Sequence, residues 1–115
     1  RRVVIVNGVR EVRDLGYRAE LEQSATADPR LTYLPLVTRE PANSAWSGLR
    51  GRVQSILEPR RFADLTAVEL TPERAHVFLC GNPAMVDSAE VLLRGHGFRT
   101  HSRREPGSIH VEKYW

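Results

Sequence analysis

The order of elements along this chain predicts an α/β fold, an open parallel sheet flanked by helices. Three observations carry that prediction. Short apolar runs, Val3-Val4-Ile5-Val6, Leu31 to Val37 and His76-Val77-Phe78-Leu79, read as strands. Stretches with helical spacing of apolar residues separate them, as the crossovers of a parallel sheet require. The third run leads into Cys80-Gly81-Asn82-Pro83-Ala84-Met85 and then an amphipathic stretch from Val86 to Arg94, in the order strand, tight turn, helix start. Ligands of open α/β sheets bind at the carboxyl ends of the strands, so this turn stands where a site is expected.

The elements follow in order. Val3–Val6 is a continuous apolar run closed by Asn7-Gly8, the pattern of a strand covered on both faces. From Val9 the period changes: Val12, Leu15, Ala19 and Leu21 recur at helical spacing, with Gly16 weakening the helix without abolishing it. Residues 23–30 form a polar connection. Leu31 to Val37 is a second strand, in which Pro35 points to an edge or an irregularity. Thr38-Arg39-Glu40-Pro41 closes it, and residues 42–50 form a loop around the isolated Trp46. A short helix is expected over residues 51–57, and a less regular stretch containing Phe62, Leu65 and Val68 before Thr71-Pro72. After the Cys80 turn, the helix from Met85 to Arg94 presents Val86, Ala89, Leu92 and Leu93 inward, and Gly95 and Gly97 suit its end. Phe98 to His101 and Ile109 to Tyr114 complete the expected strands.

At 115 residues, 41% hydrophobic and 27% charged, the chain suffices for one domain with a single core. No apolar run approaches bilayer length and no signal-peptide pattern opens the chain. A single cysteine forms no internal disulfide, has no zinc-ligand spacing around it, and fits a reducing cytoplasm. The net charge is +3, almost all from arginine, with Lys113 the only lysine. The basic residues are dispersed, and pairs such as Arg60-Arg61 and Arg103-Arg104 are too short for a nucleic-acid arm. Arg1-Arg2 stands directly before a strand without an initiator methionine, which reads as a piece of something longer.

The loops after the strands carry the chemistry. Arg10 follows the first strand and Arg39 the second, so neighbouring strands would let two guanidinium forks face one dianion, with Arg52 completing the cluster. The plain alternative is a set of surface arginines neutralised by carboxylates such as Glu40. Gly81 allows close backbone approach, Pro83 suits a first helical turn, and that helix start offers N–H groups to an anion or a polarised carbonyl. Cys80 by itself reads as a buried strand-end thiol. Tyr114 and Trp115 are adjacent terminal aromatics that need a surface to cover.

Taken together, these strings resemble the ferredoxin–NADP⁺ reductase family. Cys80-Gly81-Asn82-Pro83-Ala84-Met85 is similar to that family's nicotinamide-side loop, and Glu112-Lys113-Tyr114-Trp115 to the tail of its bacterial members. Val37-Thr38-Arg39-Glu40 resembles the V-S-R-E string that meets the NADP⁺ 2′-phosphate, with the hydroxyl kept in Thr38. Arg10 matches an arginine of the bacterial branch, and Gly51-Arg52 a G-R pair that opens the following helix. The resemblance implies a Rossmann-like nucleotide-binding domain in which Arg10, Thr38, Arg39 and Arg52 hold the 2′-phosphate. Gly81, Asn82, Pro83 and Met85 would shape the nicotinamide loop. Cys80 would wall the nicotinamide C4, and Glu112 would position the ring or relay protons. Tyr114 would cover the isoalloxazine, with Trp115 toward the FAD adenine. No metal is implied.

The resemblance covers nearly all of this chain, while the chain covers less than half of such an enzyme. The flavin-binding barrel with its R-x-Y-S/T string is absent, as are the first strand of the nucleotide domain and its G-T-G-I-A-P loop. In the family's strand order 3-2-1-4-5 that strand is central, so a gap is expected between the Val3–Val6 and His76–Leu79 strands. Residues 1–115 are therefore expected to be a partial NADP-binding domain, unstable and without turnover alone. The implied activity is electron transfer between NADPH and ferredoxin or flavodoxin through FAD, with Arg103 and Arg104 on a surface that steers the acidic carrier. Two other readings stay open: an NADH-using flavin reductase or oxygenase reductase component, and a non-catalytic nucleotide-binding module.

Overall fold

The computed structural model describes residues 1–113; Tyr114 and Trp115 lie outside the described residues. The chain divides into two compact units, Arg1–Val53 and the residues from Gln54 onward. All strand pairing is parallel, as expected of strands joined by helices.

In the first unit, β1 (Val3–Val9) pairs with β2 (Leu31–Val37) in continuous register from Val3↔Leu31 to Val9↔Val37. A two-residue strand, β3 (Leu49–Arg50), adds to the carboxyl end of β2. The helix expected after β1 is interrupted. A 3₁₀ turn, Val12–Asp14, is followed by extended Leu15, and α1 (Arg18–Ala27) begins only after Tyr17 adopts a left-handed φ of 57°. Gly16 therefore stands in a true break, and α1 runs on through most of the stretch expected to be a polar connection. Its half-buried residues are Arg18, Leu21 and Ala25, at helical spacing, while Ala19 is exposed. This stripe is the face toward β2.

Pro35 sits within β2 at little cost. Thr38 donates its N–H to Val9, so by the strand's alternation the Pro35 nitrogen points to the other side, toward β3, which begins only opposite Leu36. Proline thus occupies an edge-like position on a strand paired along its other side.

In the second unit, a 3₁₀ turn over Val53–Ile56 enters it, and a helix not anticipated from sequence follows: α2, Pro59–Thr66. Glu58 caps it, its carboxylate accepting the N–H groups of Arg60 and Arg61 at 3.0 and 2.9 Å. Pro59 occupies the first turn, where it has no N–H to lose. β4 (Val77–Gly81) pairs with β5 (Ile109–Lys113), and α3 (Pro83–Gly95) packs on both. Val86, Ala89 and Leu93 of α3 are buried with Leu79 and Ile109, whereas Leu92 is 39% exposed and does not belong to the inner face. Burial of each of these valine, leucine and isoleucine side chains contributes roughly 1.5–3 kcal/mol. The strand expected over Phe98 to His101 reduces to a single bridge, Thr100↔Ile109.

Expectations of double-sided burial are not met among the described residues. No β1 side chain is fully buried, and Phe78 in β4 is 74% exposed. β1 and β4 also each pair with a strand on one side only, among the described residues. No helix among them is long and apolar enough to cross a membrane.

The Glu58 cap gives a pH prediction. Its two backbone hydrogen bonds, to Arg61 and Arg60, hold the carboxyl below its ordinary 4.5. A lowered folded-state pKa contributes stability above the ordinary value and loses it as pH falls through the lowered one. Thermal melts of the full-length polypeptide should thus place Glu58→Ala below the unsubstituted protein at about pH 7, with the difference closing toward about pH 3. A constant difference across that range would show that the carboxylate charge has no part in the cap.

Candidate functional site

The β1–β2 ladder continues past the strands. Thr38 donates its N–H to Val9 O at 3.0 Å and Arg39 to Arg10 O at 2.7 Å. Arg10 and Arg39 are thereby held side by side at the carboxyl edge of the three-stranded sheet. Val37 pairs with Arg50, and Gly51 donates its N–H to Val37 O at 2.9 Å, which brings Arg52 to the same edge. The side chains of Arg10, Thr38, Arg39 and Arg52 are all solvent-facing. Thr38 Oγ1 lies 3.5 Å from Val9 O, at the limit of a hydrogen bond.

The carboxylate expected to neutralise this cluster is diverted. Glu40 Oε1 accepts the Val12 N–H at 2.9 Å. Among the described residues, the side chains of Arg10 and Arg39 have no hydrogen-bond or ion-pair partner. Free guanidinium forks held at one edge can receive a dianion through paired, charge-assisted hydrogen bonds. A shallow depression lined by Glu11, Val12, Arg13, Glu40 and Pro41 adjoins them.

In the second unit, taken by itself, the candidate residues lie at the end of β4. Cys80 is directly opposite Glu112 in the parallel register, and both are exposed on one face. Neighbouring strands lie about 4.8 Å apart, so thiol and carboxylate are adjacent. The expectation of a buried Cys80 thiol is thus replaced by a free, exposed one. Gly81 has a φ of +127°, open to glycine and strained for other residues, and the Met85 methyl would lie 3.5 Å from a Cβ there. Asn82 then caps α3, its Oδ1 accepting the Ala84 N–H at 2.8 Å and its carbonyl the Val86 N–H at 3.0 Å. Pro83 fills the first helical position. Among the described residues, the Met85 N–H remains unclaimed in this first turn.

Lys113 ties the end of β5 to α3 through Asp87 at 2.7 Å, and that pairing raises its ammonium pKa. Behind Cys80 and Glu112 on the same face, the rings of Phe78 and His110 stack at 4.8 Å, with His101 4.8 Å and His76 5.8 Å from His110. This ring cluster was not expected from the sequence; its one signal is the two-residue alternation of His76, Phe78 and Cys80. Among the described residues, no group of three or more His, Cys, Asp or Glu is placed to hold a metal ion. Tyr114 and Trp115, the expected flavin-covering pair, lie outside the described residues.

Residues 1–90 match the family model for the oxidoreductase NAD-binding domain. The chain belongs to that family. Over 121 residues it is 38% identical to ferredoxin–NADP reductase A of Sorangium cellulosum, a match covering 97% of this chain and 42% of that protein. It is 30% identical over 115 residues to the flavodoxin/ferredoxin–NADP reductase of Escherichia coli, covering 98% of this chain and 45% of the relative. Among solved structures, a ferredoxin NADP⁺ reductase from Neisseria gonorrhoeae with bound FAD and NADP aligns with a TM-score of 0.80 at 29% identity, covering 96% of this chain and 44% of that one. The chain thus spans less than half the length of these relatives.

For this NAD-binding domain, Gly81 supplies a direct backbone test. Gly81→Ala should cost about 1–3 kcal/mol through its positive φ. Gly95→Ala, with nothing within 4 Å of the added methyl, should leave the unfolding midpoint unchanged or raised. Comparable midpoints for both variants would remove the strain argument at Gly81.

Proposed function

We propose that this chain is the NADP(H)-binding part of a flavoprotein oxidoreductase that moves electrons between NADPH and ferredoxin or flavodoxin through FAD. The observation that carries the reading is the pair Arg10 and Arg39, whose backbones are held side by side by the Arg39 N–H to Arg10 O bond and whose guanidinium groups Glu40 leaves unpaired. Arg10, Thr38, Arg39 and Arg52 would take the 2′-phosphate that separates NADP from NAD. The Gly81–Met85 turn would admit the nicotinamide amide, since it offers a glycine with no side chain and an unclaimed N–H. Cys80 would form a small polarisable wall beside the ring. Glu112, adjacent to it in register, would position the ring or hold a proton.

FAD, when bound, supplies the conversion of a hydride into single-electron steps. It would be held mainly by a flavin-binding domain of the same polypeptide, with Tyr114 against the isoalloxazine and Trp115 toward the adenine. The edge of β1, which has no partner strand among the described residues, and the length of the relatives support a further strand in the parent domain. A cytoplasmic setting suits the exposed free thiol. Arg103 and Arg104, both exposed, would help steer an acidic carrier. On this reading the isolated 115 residues do not turn over.

Arg39→Ala in the full-length polypeptide should weaken NADPH binding about 10- to 100-fold, the worth of one or two charge-assisted hydrogen bonds, and change NADH binding by less than about twofold. Equal losses for both nucleotides would move the assignment to an NADH-using flavin or oxygenase reductase.

A further inference from the structure

We propose that Arg50 is a positioning residue for nucleotide selection, acting through the turn that carries Arg39. The inference rests on the reading of the arginine edge as the 2′-phosphate site. Arg50 lies in β3, opposite Val37. Its guanidinium reaches back across the 42–48 loop, one Nη donating to Glu40 O at 2.6 Å and the other to Pro41 O at 3.2 Å. These carbonyls belong to the two residues that directly follow Arg39. The same Glu40 accepts the Val12 N–H through its carboxylate, two residues beyond Arg10.

The result is one connected clamp. Arg50 holds the backbone of Glu40, Glu40 holds the segment after Arg10, and the Arg39 N–H holds Arg10 itself at 2.7 Å. The clamp sets both where the two phosphate-binding forks begin and what Glu40 does with its charge. If the Glu40 backbone were released, its carboxylate would be free to turn to Arg39 and occupy the fork meant for phosphate. A planar guanidinium spans two successive carbonyls, whereas a lysine ammonium is a point donor on a flexible stem. Arg50 is exposed, so its replacement leaves no cavity. Trp46 holds the intervening loop independently, donating its indole N–H to Leu49 O at 3.0 Å beneath the Arg18 guanidinium.

The test is a double-mutant cycle on the full-length polypeptide, titrated with NADP⁺ and with NAD⁺. Arg50→Met should weaken NADP⁺ binding roughly tenfold, and Arg50→Lys nearly as much, while NAD⁺ binding changes by less than about twofold. On an Arg39→Ala background, Arg50→Met should cost clearly less than it does alone, because most of its effect passes through Arg39 and only the remainder through Arg10. Full additivity would mean that Arg50 touches the phosphate itself, and would overturn the proposal. So would NADP⁺ affinity retained in Arg50→Lys, or equal losses for both nucleotides. Failure of the underlying reading looks different: the unsubstituted protein would not prefer NADP⁺, and Arg39→Ala would change nothing.

Discussion

The parallel pairing of β1 with β2 is the constraint on which the candidate site depends. Parallel strands release their chains at the same edge, so the residues that follow each strand are brought together whatever their distance in sequence. Here the register runs unbroken to Val9↔Val37 and is extended by the hydrogen bonds from Thr38 to Val9 and from Arg39 to Arg10. Arg10 and Arg39, 29 positions apart, become neighbours. A slip of one residue would turn Arg39 to the other face of the sheet and remove the pair. β3 contributes two residues to the sheet, and its placement against Leu36 and Val37 delivers Arg50 and Arg52 to the same edge.

The same logic governs the second unit by itself. The register of β4 with β5 sets Cys80 opposite Glu112, and α3, buried through Val86, Ala89 and Leu93, fixes the height at which the chain turns. Between strand and helix only Gly81 can take the positive φ, and Asn82 closes the first helical turn. Thiol, carboxylate and open glycine are thus consequences of strand pairing and helix capping, and require no specialised loop. Membership in the oxidoreductase NAD-binding domain family accords with a site made at strand ends.

Much of this was legible in the residues, and the misses have physical causes. β1, β2 and β4 announced themselves as apolar runs, β5 was expected within Ile109 to Tyr114, and α3 showed through Asn82-Pro83 and its inner stripe. α2 was hidden because it is only eight residues long, is capped by Glu58 in place of Ser, Thr, Asp or Asn, and closes on a left-handed Ala67 in place of glycine. The break at Gly16 was underrated because Tyr17, a poor left-handed residue, completes it. β3 is too short to carry a period. Val3–Val6 promised cover on both faces, but an apolar run records only that cover is wanted; its source lies in other segments. The arginine edge was readable from Arg10, Arg39 and Arg52. The role of Arg50 and the diversion of Glu40 were not, because both depend on where backbone carbonyls and amides point.

The most direct measurement is the oxygen-free visible spectrum of the full-length polypeptide, recorded before and after NADPH and then with NADH. On the proposed function a flavin spectrum is expected that NADPH bleaches far more readily than NADH, since the arginine edge would capture the phosphorylated nucleotide in preference. A colourless polypeptide, or one bleached equally by both nucleotides, would contradict it.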